Sequence, residues 1–172
     1  IEVFDDNKSL KNRTNKNFFY NIRKNIKKEF DYIILSPGID IKTCKLNRYL
    51  IKNKKKIITE LDIFYSIFPE NKKITITGTN GKSTTCKILY DIFKSNNLDV
   101  RLVGNIGNSP LLEKKITKKT IFIIEASSYQ ISYSQYFKSD HAAILNLSAD
   151  HLERHGNISE YAKAKLKLIY CS

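Results

Sequence analysis

A glycine-containing loop between an apolar strand and an amphipathic helix constrains the fold of this 172-residue chain more than any other feature. The loop has the sequence GTNGKST (78–84), follows the apolar run ITIT (74–77), and leads into residues 83–94, whose apolar side chains recur at helical spacing. In this order, the N–H groups of the loop and the positive N-terminus of the helix surround phosphate oxygens. The sequence therefore predicts a site for ATP or GTP.

Every residue of the loop is a candidate for nucleotide binding. Lys82 is expected to neutralise the β- and γ-phosphates, and the hydroxyl of Ser83 to bind Mg²⁺. Ile76 occupies the position, five residues before Gly81, where the general pattern has a glycine, so the loop is a shorter GxxGKS variant. The alternative is a plain glycine turn between a strand and a helix. The candidate nucleotide-binding residues are Gly78, Thr79, Asn80, Gly81, Lys82, Ser83 and Thr84.

Further apolar runs predict an α/β fold for the second part of the chain. RLV (101–103), IFII (121–124) and AAIL (142–145) are strand-like. The last two are apolar on both faces, which is typical of parallel strands covered by helices. Residues 72–172 are therefore expected to form a doubly wound parallel sheet of the P-loop ATPase type.

The first 71 residues are expected to form a separate, partial Rossmann-like domain. IEVF (1–4) and YIIL (32–35) are strand-like, and the charged segment between them has a spacing that allows a helix. IIT (57–59) and the residues after it indicate a further strand and a short helix. Proline and polar residues in FPENK (68–72) indicate a linker, which places the domain boundary near residue 71.

Polar residues follow the other strands of the predicted sheet. GNIG (104–107) follows the first, EASS (125–128) the second, and residues 146–151 the third. Ligands of open parallel sheets collect at the carboxyl ends of the strands, so these residues are expected to face the glycine loop. Glu125 is expected to hold the Mg²⁺ of a bound nucleotide. The alternative is a solvated carboxylate at a strand end.

Two histidines, His151 and His155, are four residues apart. A zinc pair is one interpretation, but the string HLERH lacks the HExxH order. His151 lies nearer the strand end and is the better candidate for a metal or substrate contact, with an ordinary loop histidine as the alternative. His141 and His155 have no predicted role.

The helix predicted for residues 158–170 carries an unusual lysine. At 100° per residue, Lys165 falls inside the apolar stripe, whereas Lys163 and Lys167 point away from it. An amine that faces the interior has a lowered pKa and becomes reactive. The alternative is a lysine that extends its charged end into water. The stripe consists of Tyr161, Ala162, Leu166, Leu168 and Ile169.

The net charge of +13 raises the question of a nucleic-acid partner. The basic residues are spread over both halves of the chain, so no nucleic-acid partner is expected. No apolar run approaches the roughly 18 residues that span a bilayer, and no membrane insertion is expected. Cys44, Cys86 and Cys171 form no CxxC pair, which fits a reducing cytoplasm. The chain contains no methionine and is expected to be a fragment.

Several strings together resemble the Mur ligase family. The strings EASSYQ (125–130) and DHLERHG (150–156) are similar to those of the family members that add D-glutamate. The string of the glycine loop is also shared with folylpolyglutamate synthases. The remaining strings are ITGTNGKST (76–84), VGNIG (103–107), LNLSA (145–149), YAKAKLKLIY (161–170) and LSPGI (35–39).

The resemblance implies ATP-dependent formation of an amide bond in peptidoglycan synthesis. ATP would phosphorylate the carboxylate of UDP-N-acetylmuramoyl-L-alanine, and the amine of D-glutamate would attack the acyl phosphate. By similarity Lys82, His151 and Lys165 are catalytic. Ser83 and Glu125 hold a first Mg²⁺, and His151 helps to hold a second together with Lys165, which CO₂ converts to a carbamate.

The resemblance also assigns domains and substrate contacts. Residues 1–71 would be part of an N-terminal UDP-substrate-binding domain, and residues 72–172 the N-terminal part of a central ATP-binding domain. Gly38, Asn105 and Ser127 match substrate-binding positions. A monomer that does not ligate by itself is expected, because D-glutamate selection belongs to other parts of the family enzyme. The alternatives are another Mur or folylpolyglutamate ligase, and a nucleotide- or nucleic-acid-binding module without ligase chemistry.

Overall fold

The computed structural model describes residues 2–5, 17–19 and 29–170. They belong to two compact units. Of the described residues, 2–5, 17–19, 29–33 and 40–56 form the smaller unit, and 34–39 and 57–170 form the larger unit.

The smaller unit contains a pair of parallel strands, β1 (Glu2–Phe4) and β2 (Asn17–Phe19), with Val3 opposite Phe18. β1 confirms the first predicted strand, whereas the sequence does not predict β2. The charged segment between residues 5 and 31, whose spacing allows a helix, lies largely outside the described residues. Strand β3 (Ile33–Ile34) lies at the border of the units, and helix α1 (Asn47–Lys52) and a 3₁₀ turn (Lys54–Lys56) follow.

The larger unit is built on a four-stranded parallel sheet. Its strands run in the order β6, β7, β5, β8, all parallel to their neighbours, which confirms the predicted doubly wound sheet. In chain order the elements are β4 (Ile57–Ile58), α2 (Glu60–Ile67), β5 (Lys73–Thr77), α3 (Lys82–Ser95), β6 (Val100–Gly104), β7 (Ile121–Glu125), α4 (Ser128–Tyr133), β8 (His141–Ile144), α5 (Leu152–His155) and α6 (Ile158–Tyr170).

Both faces of the sheet are buried, as the apolar runs predict. On one face Phe122 and Ile124 of β7 pack with residues of α2, α4 and α6, and the ring of Phe64 meets that of Phe122 edge-on at 4.7 Å. On the other face Ile123 packs with Cys86 of α3. Burying each large apolar side chain stabilises the fold by about 1.5–3 kcal/mol.

Helix α2 belongs to the larger unit. Its N-terminus is closed by a capping box between Thr59 and Asp62. The buried Asp62 carboxylate also accepts hydrogen bonds from the Ser134 hydroxyl and from the N–H groups of residues 135–137. The compact units therefore divide the chain at other residues than the linker does, and the functional assignment of 1–71 and 72–172 stays a prediction.

Two further expectations from the sequence concern membrane spans and cysteines. Among residues 29–170 no helix combines the length and the apolar character that crossing a membrane requires. Cys44 is half-buried and Cys86 is buried, and both are free thiols. Cys171 lies outside the described residues.

Candidate active site at the carboxyl end of the sheet

The glycine loop stands where the sequence places it, between the end of β5 and the start of α3. Gly81 adopts the left-handed conformation, with φ of 80°, and precedes the first residue of α3. Gly78 has φ of 153°, and a Cβ there would lie 3.2 Å from the Cβ of Leu145. A side chain at Gly78 would therefore crowd Leu145, and one at Gly81 would be strained by the left-handed backbone.

The side chain of Lys82 folds back over the loop. Its ammonium group donates hydrogen bonds to the carbonyl oxygens of Gly78 at 2.9 Å and Thr79 at 2.7 Å. The positive charge is thus held beside the first two residues of the loop. Lysine ammonium groups can neutralise phosphate oxygens, and phosphate binding by Lys82 stays a prediction.

Glu125 is the centre of a hydrogen-bonded chain of side chains. It is the last residue of β7 and is 1% exposed. Its Oε2 accepts from the hydroxyl of Ser83 at 2.8 Å, and its Oε1 accepts from the side-chain amide of Asn105 at 2.9 Å. The alternative of a solvated carboxylate is therefore wrong, and Ser83, Glu125 and Asn105 come together as one group.

Lys165 of α6 is buried, at 1% exposure, and this confirms the inward-facing position that the helical periodicity predicts. Its Nζ donates to the carbonyl of Gly78 at 2.9 Å and to Oγ1 of Thr77 at 3.3 Å, and lies 4.7 Å from the ring centre of Tyr161. The alternative of a charged end in water is wrong. Lys82 and Lys165 therefore share one acceptor, the carbonyl oxygen of Gly78.

The environment of Lys165 lowers the pKa of its amine to about 8. The largest cause is burial, which disfavours the charged form, and the cation of Lys82 adds to it. The carboxylate of Asp150 opposes both. A substantial neutral fraction of the amine is therefore present near neutral pH.

The rest of α6 agrees with the predicted pattern in part. Lys163 is exposed and pairs with Glu160 at 2.7 Å. The prediction for Lys167 is wrong, because its ammonium donates to the carbonyl of Ser134 after α4. Ile169 also departs from the predicted apolar stripe, since it is 45% exposed.

The ring of His151 lies 6.4 Å from that of Tyr161, the ring on which the Lys165 ammonium packs. His151 adopts a left-handed backbone conformation before α5, and its side chain is 45% exposed. Its ring nitrogens lie 3.5 Å from a carboxylate oxygen of Asp150 and 3.7 Å from one of Glu153. Within residues 29–170, no hydrogen bond joins His151 to Lys82, Glu125 or Lys165.

His155, which has no role predicted from the sequence, is packed closely in the site. Its Nε2 lies 3.0 Å from Oγ of the buried Ser128, and its ring stacks on Tyr129 with 5.5 Å between centres. Burial lowers the pKa of the imidazole, and the neighbouring basic side chains, Arg154 first, add to this effect. The described residues contain no group of three or more His, Cys, Asp or Glu side chains that could hold a metal.

Two side chains, one aromatic and one charged, connect the site to its surroundings. The sequence predicts this role for neither of them. The hydroxyl of the buried Tyr161 lies 3.2 Å from Oγ1 of Thr79 in the loop. Arg154 lies 4.1 Å above the ring of Tyr129 and donates to the carbonyl of Ile39. For Tyr161 the signal was its place in the same stripe as Lys165, and for Arg154 there was none.

The two remaining predicted substrate contacts, Ser127 and Gly38, each lie in a local hydrogen-bonded structure. The hydroxyl of Ser127 caps α4 by accepting from the N–H of Gln130, whose side chain accepts from the N–H of Ser127. Gly38 lies in a turn closed by a bond from the N–H of Ile39 to the carbonyl of Ser36, and a Cβ there would meet nothing within 4 Å. Substrate binding by both stays a prediction.

The family model and the relatives that match this chain agree with one another. The family described as the Mur ligase middle domain matches residues 76–171. The UDP-N-acetylmuramoylalanine–D-glutamate ligase of Elusimicrobium minutum is 41% identical over 147 residues, which are 80% of this chain and 32% of that protein. The ligase of the same name from Rickettsia prowazekii is 37% identical over 140 residues, 81% of this chain and 31% of that protein. The chain thus spans about a third of the length of these relatives.

A solved structure shows the same fold. The UDP-N-acetylmuramate:L-alanyl-γ-D-glutamyl-meso-diaminopimelate ligase of Neisseria meningitides superposes with a TM-score of 0.54. The identity is 15%, and the match covers 82% of this chain and 48% of that one. At this identity the likeness supports the fold alone.

Proposed function

The chain belongs to the Mur ligase family, and from this premise we propose that it supplies the ATP-binding part of a ligase that joins D-glutamate to UDP-N-acetylmuramoyl-L-alanine. The observation that carries the proposal is the pair of cations at one end of β5, where Lys82 and the buried Lys165 share the carbonyl of Gly78. The reaction belongs to peptidoglycan synthesis in the cytoplasm. We infer a monomer with no nucleic-acid partner and no membrane insertion.

In the proposed reaction the γ-phosphoryl group of ATP is transferred to the carboxylate of the L-alanyl group. The amine of D-glutamate then attacks the acyl phosphate, and the tetrahedral intermediate loses phosphate to give the amide. Lys82 neutralises the negative charge on the phosphate oxygens. Asn105, Ser127 and Gly38 contact the UDP-linked substrate, and Asn105 at the same time fixes the Glu125 carboxylate.

Ser83 and Glu125 fit a magnesium site. A hydroxyl and a carboxylate are the hard oxygen donors that Mg²⁺ prefers, and here they lie 2.8 Å apart at the start of α3. The Glu125 carboxylate is already fixed by Asn105, so these two oxygens need little reorganisation. Bound Mg²⁺ supplies positive charge to the phosphate groups.

The second proposed Mg²⁺ requires a change at Lys165. An ammonium group donates hydrogen bonds and cannot ligate a cation. In the neutral form, the lone pair of the amine attacks the carbon of CO₂, a C–O π bond breaks to give a carboxylate, and the amine releases a proton to solvent. We propose that this carbamate and His151 together hold the second Mg²⁺.

Nucleotide binding tests the proposal directly. Isothermal titration of the 172-residue chain with ATP and Mg²⁺ is expected to show binding, and Lys82→Ala to weaken it about 100-fold, because a charge-assisted contact with phosphate is lost. The matched control is Lys87→Ala, on the same helix, whose exposed ammonium pairs with Asp91. Equal affinity of the wild type and Lys82→Ala would contradict the phosphate role.

Ligation requires an experiment on a complete enzyme. In a chimera, residues 72–170 replace the matching segment of the Elusimicrobium minutum relative. The chimera is expected to add D-glutamate to UDP-N-acetylmuramoyl-L-alanine with release of ADP and phosphate, and the same chimera with Lys82→Ala to be inactive. A chimera that folds and binds ATP but forms no amide product would overturn the ligase proposal.

A further inference from the structure

The side chain of Asn146, two residues beyond the end of β8, binds the backbone of the glycine loop. Its Oδ1 accepts hydrogen bonds from the N–H groups of Thr79 at 3.1 Å and Asn80 at 2.9 Å. Its Nδ2 donates to the carbonyl of Asn80 at 3.0 Å. One carboxamide thus satisfies both the donors and the acceptor of a single stretch of loop backbone.

The contact extends along the segment that follows. The carbonyl of Asn146 also accepts from the N–H of Thr79 at 3.1 Å, and the N–H of Ser148 donates to Oγ1 of Thr79 at 3.0 Å. The first half of the loop is therefore bonded to the segment that leads to His151. Only a side chain with an adjacent donor and acceptor makes all of the Asn146 contacts, since aspartate lacks the donor and alanine lacks both.

The N–H groups of the loop fall into two sets. Those of Thr79 and Asn80 are occupied by Asn146, whereas in the described part of the chain those of residues 81–84 have no protein acceptor. The second set lies at the N-terminus of the 14-residue helix α3, next to the ammonium of Lys82. A phosphate group needs N–H donors that are not already used.

We propose that Asn146 is a positioning residue, which holds the N–H groups of Thr79 and Asn80 so that residues 81–84 alone bind the phosphate groups. The inference rests on the proposed binding of ATP. Asn146 does not touch the nucleotide in this assignment. It fixes the loop in the shape that the nucleotide meets, and thereby lowers the ordering cost of binding.

Amide hydrogen exchange measured by NMR tests the assignment in the wild-type chain, with and without ATP and Mg²⁺. The N–H groups of Thr79 and Asn80 are expected to be protected in both states, and those of residues 81–84 only with nucleotide. In Asn146→Ala the protection of Asn80 without nucleotide is expected to disappear, whereas that of Thr79 is expected to decrease only, because its N–H keeps the backbone carbonyl of residue 146 as an acceptor. ATP affinity is expected to fall about tenfold, because the free loop must be ordered on binding.

Two further variants sharpen the result. Asn146→Asp keeps the acceptor oxygens and is expected to retain the protection of Thr79 and Asn80. Asn96→Ala, at the other end of α3, is the matched control and is expected to leave both measurements unchanged. If wild-type chain binds no ATP, the proposed function fails. If it binds ATP but Asn146→Ala binds equally well, or if Thr79 and Asn80 gain protection only with nucleotide, the positioning role of Asn146 is wrong.

Discussion

The two ends of strand β5 each hold a buried lysine, and the two lysines differ in what surrounds them. Lys73 begins the strand and is 1% exposed. Its ammonium donates to the carbonyls of Asn71 at 2.6 Å and Pro69 at 3.2 Å, and lies 5.2 Å from the ring of Tyr65. Lys165, equally buried, binds the other end of the strand and the start of the glycine loop.

Burial lowers the pKa of both amines, but the neighbouring charges differ. At Lys73 the carboxylate of Asp140 opposes the effect of burial, and the cation of Lys72 adds less to it. At Lys165 the second largest cause is the cation of Lys82, which adds to burial. Burial alone therefore does not mark a reactive amine. The two lysines differ in that the strongest neighbouring charge is a carboxylate at Lys73 and a cation at Lys165.

The largest expected difference between the two ends is the uptake of CO₂. At pH 8 about half of the Lys165 amine is neutral, given its pKa of about 8, against about 0.3% of an ordinary lysine with a pKa of 10.5. With ¹³C-labelled bicarbonate, carbamate trapping and peptide mapping are expected to find a carbamate on Lys165. Lys73 is expected to give none, because its ammonium is enclosed by two carbonyl groups.

Two variants serve as controls for this experiment. Lys165→Met is expected to lose the carbamate, whereas Lys163→Met, an exposed neighbour on the same helix, is expected to retain it. Peptide mapping separates the signal from that of the α-amino group. A carbamate found equally on Lys73 and Lys165 would remove the distinction between the two ends.

The next largest effect is a dependence of stability on pH that belongs to Lys165. The folded-state pKa of about 8 lies below the unfolded value of 10.5, so below pH 8 both states are protonated and the folded state carries the full cost of a buried cation. Between pH 8 and 10.5 the folded state releases its proton first. The free energy of unfolding is therefore expected to rise by about 2 kcal/mol from pH 7 to pH 9.5.

Urea unfolding of the wild type and Lys165→Met at several pH values measures this effect. The difference between the two proteins isolates Lys165 from the other lysines, which titrate in both. A difference that stays constant from pH 7 to pH 9.5 would show that the amine has an ordinary pKa, and the electrostatic half of the comparison would then be wrong.

Periodicity predicts one of these buried lysines and not the other. Lys165 lies within a helix of 13 residues, long enough for the direction of each side chain to be read from its position. Lys73 precedes a short run of alternating residues, where a lysine indicates a solvated strand end. Its burial comes from the rings of Phe64 and Tyr65, which α2 brings over the start of β5. Such a contact between distant elements has no local sequence signal.

The candidate site likewise contains features that the sequence predicts and features that it does not. The order of strand, loop and helix, and the placement of Glu125 at a strand end, follow from local pattern and from the rule for parallel sheets. The partners of Lys167 and His155 do not. Both side chains are held by residues in or just after α4, and the direction of a side chain on its own helix does not show what another helix presents to it.

A matched pair of substitutions compares how much each buried lysine contributes to the stability of the fold. Lys73→Met is expected to lower the free energy of unfolding at pH 7 by about 2 kcal/mol, because the carbonyls of Pro69 and Asn71 lose a buried donor. Lys165→Met is expected to change it by about 1 kcal/mol or less, because the carbonyl of Gly78 keeps its bond from Lys82 and removal of the buried cation offsets the other lost contacts. Urea unfolding measures both, and the reverse order would contradict the comparison.

The smallest effect concerns the hydrogen bond between Lys165 and the last residue of β5. Oγ1 of Thr77 accepts from the ammonium at 3.3 Å and so favours the charged form. Thr77→Val removes this acceptor without changing the shape of the side chain much, so the pKa of Lys165 is expected to fall further. The pH midpoint of carbamate trapping is expected to move down by about half a pH unit.

Thr75→Val is the matched control, two residues earlier on the same strand. Its hydroxyl is also buried but bonds Ser139 at 2.7 Å, so the substitution is expected to lower stability and to leave the midpoint unchanged. If Thr77→Val raises the midpoint, or if both variants shift it equally, the local hydrogen bond does not tune the amine. The low pKa of Lys165 would then depend on burial and on the cation of Lys82 alone, and the carboxyl end of β5 would differ from the amino end by charge rather than by hydrogen bonding.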